Sequence, residues 1–187
     1  MSSPGSVAGD ERLRLFCALR LPAESIERLL AWQRRAFAGI ERVRPVGREQ
    51  LHVTLAFLGS RPASEVDAVT AELRAAAASV RPPLLAVRGY RETRSVGMLV
   101  LEDEERRATH LAEALHGRLE QLGLYERERR SWLPHLTVVR FRERPRLRPE
   151  LPELEPFVTS EAAVYMSVLR PSGAQYEVLQ SVALEGS

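Results

Sequence analysis

The segments Leu51-His52-Val53-Thr54-Leu55-Ala56-Phe57-Leu58 and Pro134-His135-Leu136-Thr137-Val138-Val139 carry the same His-x-Thr pair between apolar residues, with the two histidines 83 positions apart. Strand side chains alternate between faces, so Leu51, Val53, Leu55 and Phe57 are expected to share a core face. His52 and Thr54 then stand on the other face, beside small Ala56. In the second segment Leu136 and Val138 take the core face and leave His135 with Thr137 opposite. Each segment follows a helix-like stretch, and two copies of such a unit imply two lobes about a pseudo-two-fold axis. They are too few for a solenoid.

Apolar spacing and turn residues complete the map. Leu13 to Leu19 reads as a strand ended by Pro22, and Pro22 to Phe37 as a helix with apolar Ile26, Leu29, Leu30 and Phe37, closed by Gly39. The strand Leu51 to Leu58 is expected to end at Gly59, before an alanine-rich helix from Ala63 to Val80. The second half repeats the order: strands Leu84 to Tyr90 and Met98 to Leu101, a helix from Glu105 to Leu122 closed by Gly123, and a strand from Trp132 to Phe141. Strands Ala162 to Leu169 and Gln175 to Leu184 form a hairpin through Pro171-Ser172-Gly173, and Pro145 to Pro156 reads as a connecting loop.

At 187 residues, 44% apolar and 28% charged, the chain suits a single globular domain over 11–187, preceded by a disordered tail over 1–10. That tail lacks the basic and apolar regions of a signal peptide, and no apolar run is long enough to span a bilayer. The lone Cys17 sits in an apolar strand, so it is expected to be buried, and a reducing cytoplasm fits. Every basic residue is arginine; the arginine-rich stretches Tyr125 to Arg130 and Arg140 to Arg148 read as solvated loops.

Two histidines and two threonines facing each other suit a phosphodiester. In-line displacement needs a proton removed from the attacking oxygen and another delivered to the departing one, and imidazole does either near neutral pH. Threonine hydroxyls can donate to the non-bridging oxygens, where charge builds. A metal hydrolase fits poorly, because two histidines without neighbouring Asp, Glu or Cys fall short of three or four ligands. The residues alone leave open which histidine is acid and which is base.

These motifs resemble the two-histidine (2H) phosphoesterases, and within them the bacterial RNA 2',3'-cyclic phosphodiesterases formerly called 2'-5' RNA ligases. The resemblance begins with Arg14-Leu15-Phe16-Cys17-Ala18-Leu19 and Leu21-Pro22, runs through both His-x-Thr segments to Arg140, and ends with Arg170-Pro171-Ser172-Gly173-Ala174-Gln175-Tyr176-Glu177-Val178-Leu179. It implies an α+β fold, bilobal, with two antiparallel sheets flanking a cleft and helices on the outer faces. It implies a monomeric hydrolase with no cofactor and no metal, acting on RNA ends or nucleotides that bear a 2',3'-cyclic phosphate and leaving a 2'-phosphate. His52 becomes the proton donor, His135 the proton acceptor, Thr54 and Thr137 their partners, and Arg140 a substrate-binding residue. Simple alternation sets Arg140 opposite His135 and Thr137, so that last role requires a bulge or strand end.

The chain departs from the family at Pro45, where tryptophan is frequent, and over Glu92 to Met98, which lacks a proline-flanked tryptophan strand. Those departures bear on substrate preference, since cleft-edge aromatics stack on exposed bases. Trp32 and Trp132 read as core or strand-edge residues, and His110 and His116 as surface or structural ones. Two other activities would use the same residues: ligation of RNA ends by the reverse reaction, and a non-catalytic module that grips an RNA end.

Overall fold

Two periodicities organise the chain: alternating strands that pair into sheets, and helices with one apolar stripe. The computed structural model describes residues 11–171 and 173–185, so the expected tail over 1–10 lies outside the described residues. Among the described residues there are nine strands: β1 (Arg12–Arg20), β2 (Val43–Pro45), β3 (His52–Pro62), β4 (Leu84–Glu92), β5 (Val96–Asp103), β6 (His135–Phe141), β7 (Phe157–Val158), β8 (Glu161–Arg170) and β9 (Gly173–Ala183). Three α-helices join them: α1 (Ala23–Ala36), α2 (Val66–Ala77) and α3 (Arg107–Gln121). One sheet has the order β3-β1-β8-β9 and the other β2-β6-β5-β4-β7, with antiparallel pairs throughout. The α+β, two-sheet architecture follows the expectation. The 83-residue offset relates β1, α1 and β3 to β5, α3 and β6.

Each helix is held by its buried stripe. In α3, Ala108, Leu111, Ala112, Leu115, His116 and Leu119 are buried at helical spacing. Three fully buried leucines are each worth roughly 1.5–3 kcal/mol, whereas a 15-residue helix is marginal in isolation. Packing therefore decides the element. Asp103 stabilises its start by accepting from the Ala108 and Thr109 amides at 3.0 and 2.7 Å. One apolar cluster runs through both sheets and all three helices and contains Leu19, Leu29, Leu73, Leu99, Leu115 and Leu136. Cys17 belongs to it, fully buried, and burial pushes its thiol up to about 12.

Three elements differ from the expectation. β3 does not stop at Gly59 but continues to Pro62, because Gly59 adopts φ +71° and pairs with Leu15 within the ladder. β6 begins at His135, which leaves Trp132 ahead of the strand. Short β2 and β7 add edges to the second sheet; three and two residues are too few to show a period. The proline-rich segment is a loop, as expected. It is tied down by the buried carboxylate of Glu92, which accepts from the Arg146 and Leu147 amides at 2.9 and 2.7 Å and from Arg144 Nε at 3.2 Å.

Candidate active site

A bulge gives the cleft face of β3 its residues. Ala18 pairs with Thr54 and Cys17 with Ala56, so Leu55 is the extra residue. Leu55 and Ala56 both enter the core, 1% and 2% exposed, and alternation resumes in the opposite sense. Phe57, expected in the core, instead joins the face of His52 and Thr54 and is 51% exposed. Ala56, expected beside His52, leaves that face for the same reason.

β6 repeats the device. Met98 pairs with Thr137 and Gly97 with Val139, leaving Val138 as the extra residue. Val138 and Val139 are both fully buried, and half-buried Arg140 turns to the side of His135 and Thr137. This is the bulge that a substrate-facing Arg140 requires. Gly97 is obligatory beside it, since a Cβ there would collide with the Tyr90 ring hydroxyl and with Val139. One backbone solution thus turns the fifth residue after each motif histidine, Phe57 or Arg140, to that histidine's face, and Phe57 lines the cleft.

His52 is enclosed by aromatic rings, with centroids 5.0 Å from Phe16, 5.6 Å from Tyr165 and 5.4 Å from Tyr176. Its Nδ1 is buried and has no hydrogen-bond partner among the described residues. Burial, then the positive charges of His135 and Arg140, lower its pKa to about 4. In the free protein His52 is therefore neutral at pH 7, and an anion in the cleft would favour its charged form. Arg140 Nη2 lies 3.4 Å from the Tyr176 hydroxyl, joining the two sheets beside His52.

His135 has a different setting. Its Nδ1 is 2.8 Å from the Leu133 carbonyl, which can only accept, so Nδ1 carries the proton. In the neutral ring Nε2 then keeps a lone pair. His135 and Thr54 line a cleft of about 990 Å³ together with Phe57, Trp132 and the Arg127, Arg129 and Arg130 stretch. Trp132 Nε1 donates to the Thr54 carbonyl at 3.0 Å, clipping the segment before β6 onto β3. Trp32 is a core residue, 4% exposed, with Nε1 donating to the Glu150 carbonyl at 2.8 Å.

The structure gathers Thr54 and His135 on one cleft and sets His52 within electrostatic reach of His135 and Arg140. Thr137 is placed by strand alternation on the face of His135, half-buried. The sequence alone does not mark Phe16, Phe57, Tyr165 and Tyr176 as site residues. Phe57 was hidden by the bulge, and the other three come from strands whose neighbours only the sheet order reveals. Among the described residues no three His, Cys, Asp or Glu side chains converge as metal ligands, and no helix is long and apolar enough to cross a membrane.

Comparison with known proteins gives consistent results. Residues 22–171 match the family model described as the 2'-5' RNA ligase superfamily. A Thermus thermophilus protein named RNA 2',3'-cyclic phosphodiesterase is 33% identical over 185 residues, covering 93% of this chain and 91% of its own. An Escherichia coli protein of the same name is 33% identical over 134 residues, covering 70% and 73%. Among solved structures, TT0787 of Thermus thermophilus has a TM-score of 0.79 at 28% identity, over 94% of this chain and all of its own. Escherichia coli LigT complexed with 3'-AMP has a TM-score of 0.77 at 25% identity, over 93% and 99%.

Proposed function

The chain belongs to the 2'-5' RNA ligase superfamily of two-histidine phosphoesterases, and from that premise we propose that it hydrolyses the 2',3'-cyclic phosphate of RNA ends or nucleotides to a 2'-phosphate. The observation that carries this reading is the recurrence of one bulged His-x-Thr strand in each sheet, with Thr54 and His135 lining one cleft and His52 packed against Tyr176, whose hydroxyl Arg140 of the other sheet reaches at 3.4 Å.

His135 is the proton acceptor, a role supported by the Nδ1 hydrogen bond that leaves Nε2 with its lone pair. Nε2 takes a proton from water as the water oxygen bonds to phosphorus. The bond from phosphorus to the 3' oxygen breaks, and His52, charged once the phosphate anion is bound, gives its proton to that oxygen. Thr54 and Thr137 donate to the non-bridging oxygens, and Arg140 neutralises the charge that develops there. No step calls for a metal ion. Phe57 and Trp132 offer apolar surface to the base, and the nucleotide held by Escherichia coli LigT supports a ligand of that class.

The test is incubation of the chain with an oligonucleotide ending in 2',3'-cyclic phosphate, in chelator, with phosphorus NMR of the product. A 2'-phosphate is expected. A 3'-phosphate would overturn the assumed orientation of the cyclic phosphate or the assignment of acid and base, and an unchanged cyclic phosphate would overturn the activity.

A further inference from the structure

The two bulges have a common support. An extra residue in a ladder leaves its carbonyl outside the regular pairing, and an unpaired buried carbonyl costs roughly 1–3 kcal/mol. That cost applies to the Leu55 carbonyl, which accepts from His116 Nε2 at 2.7 Å; the Val138 carbonyl is already met by the Val46 amide at 3.1 Å and is held in place by a second donor, Gln33 Nε2 at 2.6 Å, which also reaches the Val46 carbonyl at 3.3 Å. His116 and Gln33 are 5% and 2% exposed. Gln33 lies 19 positions before His52 and His116 lies 19 positions before His135, so the same 83-residue offset relates the two donors.

Their targets are crossed. Gln33 on α1, from the repeat that carries His52, holds the bulge of β6; His116 on α3, from the repeat that carries His135, holds the bulge of β3. We propose that Gln33 and His116 are paired positioning residues, each donating one N–H that fixes a bulge and so aims Arg140 and Phe57, respectively, into the cleft. The chemistry needed is a single donor, so His116 acts through its Nε2–H. Gln33 shows that a carboxamide fills the equivalent place. The assignment of what Arg140 and Phe57 contact rests on the phosphodiesterase reading above.

The test compares His116→Gln, His116→Leu and Gln33→Leu on a nucleoside 2',3'-cyclic phosphate and on methyl riboside 2',3'-cyclic phosphate, which has no base. His116→Leu should raise KM for the nucleoside substrate by about tenfold and leave the base-free substrate within about twofold, while His116→Gln should restore the wild-type KM. Gln33→Leu should lower kcat/KM on both substrates alike, because Arg140 serves the phosphate. Equal losses in His116→Gln and His116→Leu would show a packing role and overturn the proposal, as would an equal effect of His116→Leu on both substrates.

If the wild type turned over neither substrate, the activity reading would fail and the positioning claim would be judged by carbonyl carbon shifts. The Leu55 shift should move in His116→Leu but not in His116→Gln, and the Val138 shift should move in Gln33→Leu. A Leu55 carbonyl unmoved in His116→Leu would overturn the proposal. Should the leucine variants not fold, imidazole nitrogen NMR of the wild type decides, since a His116 ring protonated only at Nδ1 excludes the donor role.

Discussion

The His52 lobe and the His135 lobe share a backbone plan and differ in what lines it. In both, a His-x-Thr strand bulges at the third residue after the histidine and turns the fifth to the histidine's face. In the first lobe the histidine is packed among Phe16, Tyr165 and Tyr176, its Nδ1 without a partner among the described residues, and the fifth residue is Phe57. In the second the ring is oriented by the Leu133 carbonyl, and the fifth residue is Arg140. A repeat can thus keep its geometry while its surroundings divide the work: one imidazole starts neutral and apolar-walled, the other is locked as one tautomer.

Removing either imidazole tests the division most severely. His52→Ala and His135→Ala should each lower the single-turnover rate on the order of 10²- to 10⁴-fold, and the double variant should lose less than the product of the two because the pair acts as a unit. Near-wild-type turnover by His135→Ala would remove the acceptor.

Stability against pH comes next. Unfolded, the His52 ring takes up a proton near pH 6.5, whereas folded it resists until about 4. Between those values the unfolded chain binds the extra proton. The stabilisation is therefore whole above about pH 6.5, drains as pH falls, and is gone below about 4; it amounts to at most about 3 kcal/mol. Denaturation of His52→Asn between pH 7 and 4 should show a flatter decline than wild type, and His135→Ala should raise the pKa of His52 by removing a neighbouring charge. A histidine carbon titration checks the second point. By the same logic the alkaline limb of kcat should lie above that of kcat/KM, since a bound anion favours charged His52.

The fifth residues should separate by substrate. Arg140→Ala should cost roughly 1.5–3 kcal/mol of transition-state stabilisation on any cyclic phosphate. Phe57→Ala should cost about 1–3 kcal/mol only when a base is present. Steady-state kinetics with and without the base would expose the opposite result, equal sensitivity at both positions.

The smallest effect belongs to the threonines. At Thr54 and Thr137, serine retains a donor that valine lacks, so Thr→Ser should stay within a few-fold of wild type while Thr→Val loses a hydrogen bond worth about 1 kcal/mol or more. Rates of the four variants on one cyclic nucleotide decide it, and a trapped phosphothreonine would contradict the donor role.

The sequence by itself determined the elements and named the candidate His and Thr residues. Period-two alternation in 51–55 and 134–138, the helical stripes, and the same His-x-Thr pair at an 83-residue offset are local patterns, and local patterns survive without knowledge of neighbours until a bulge interrupts them. It also stated the condition for Arg140, a bulge, without being able to supply it. Only the tertiary structure decided the parity of Phe57, the enclosure of His52 by Phe16, Tyr165 and Tyr176, and the crossed service of Gln33 and His116. The physical reason is the same in each case: a bulge exists only relative to a partner strand, a ring is buried only by rings from other strands, and a carbonyl is satisfied by whichever helix packs against it.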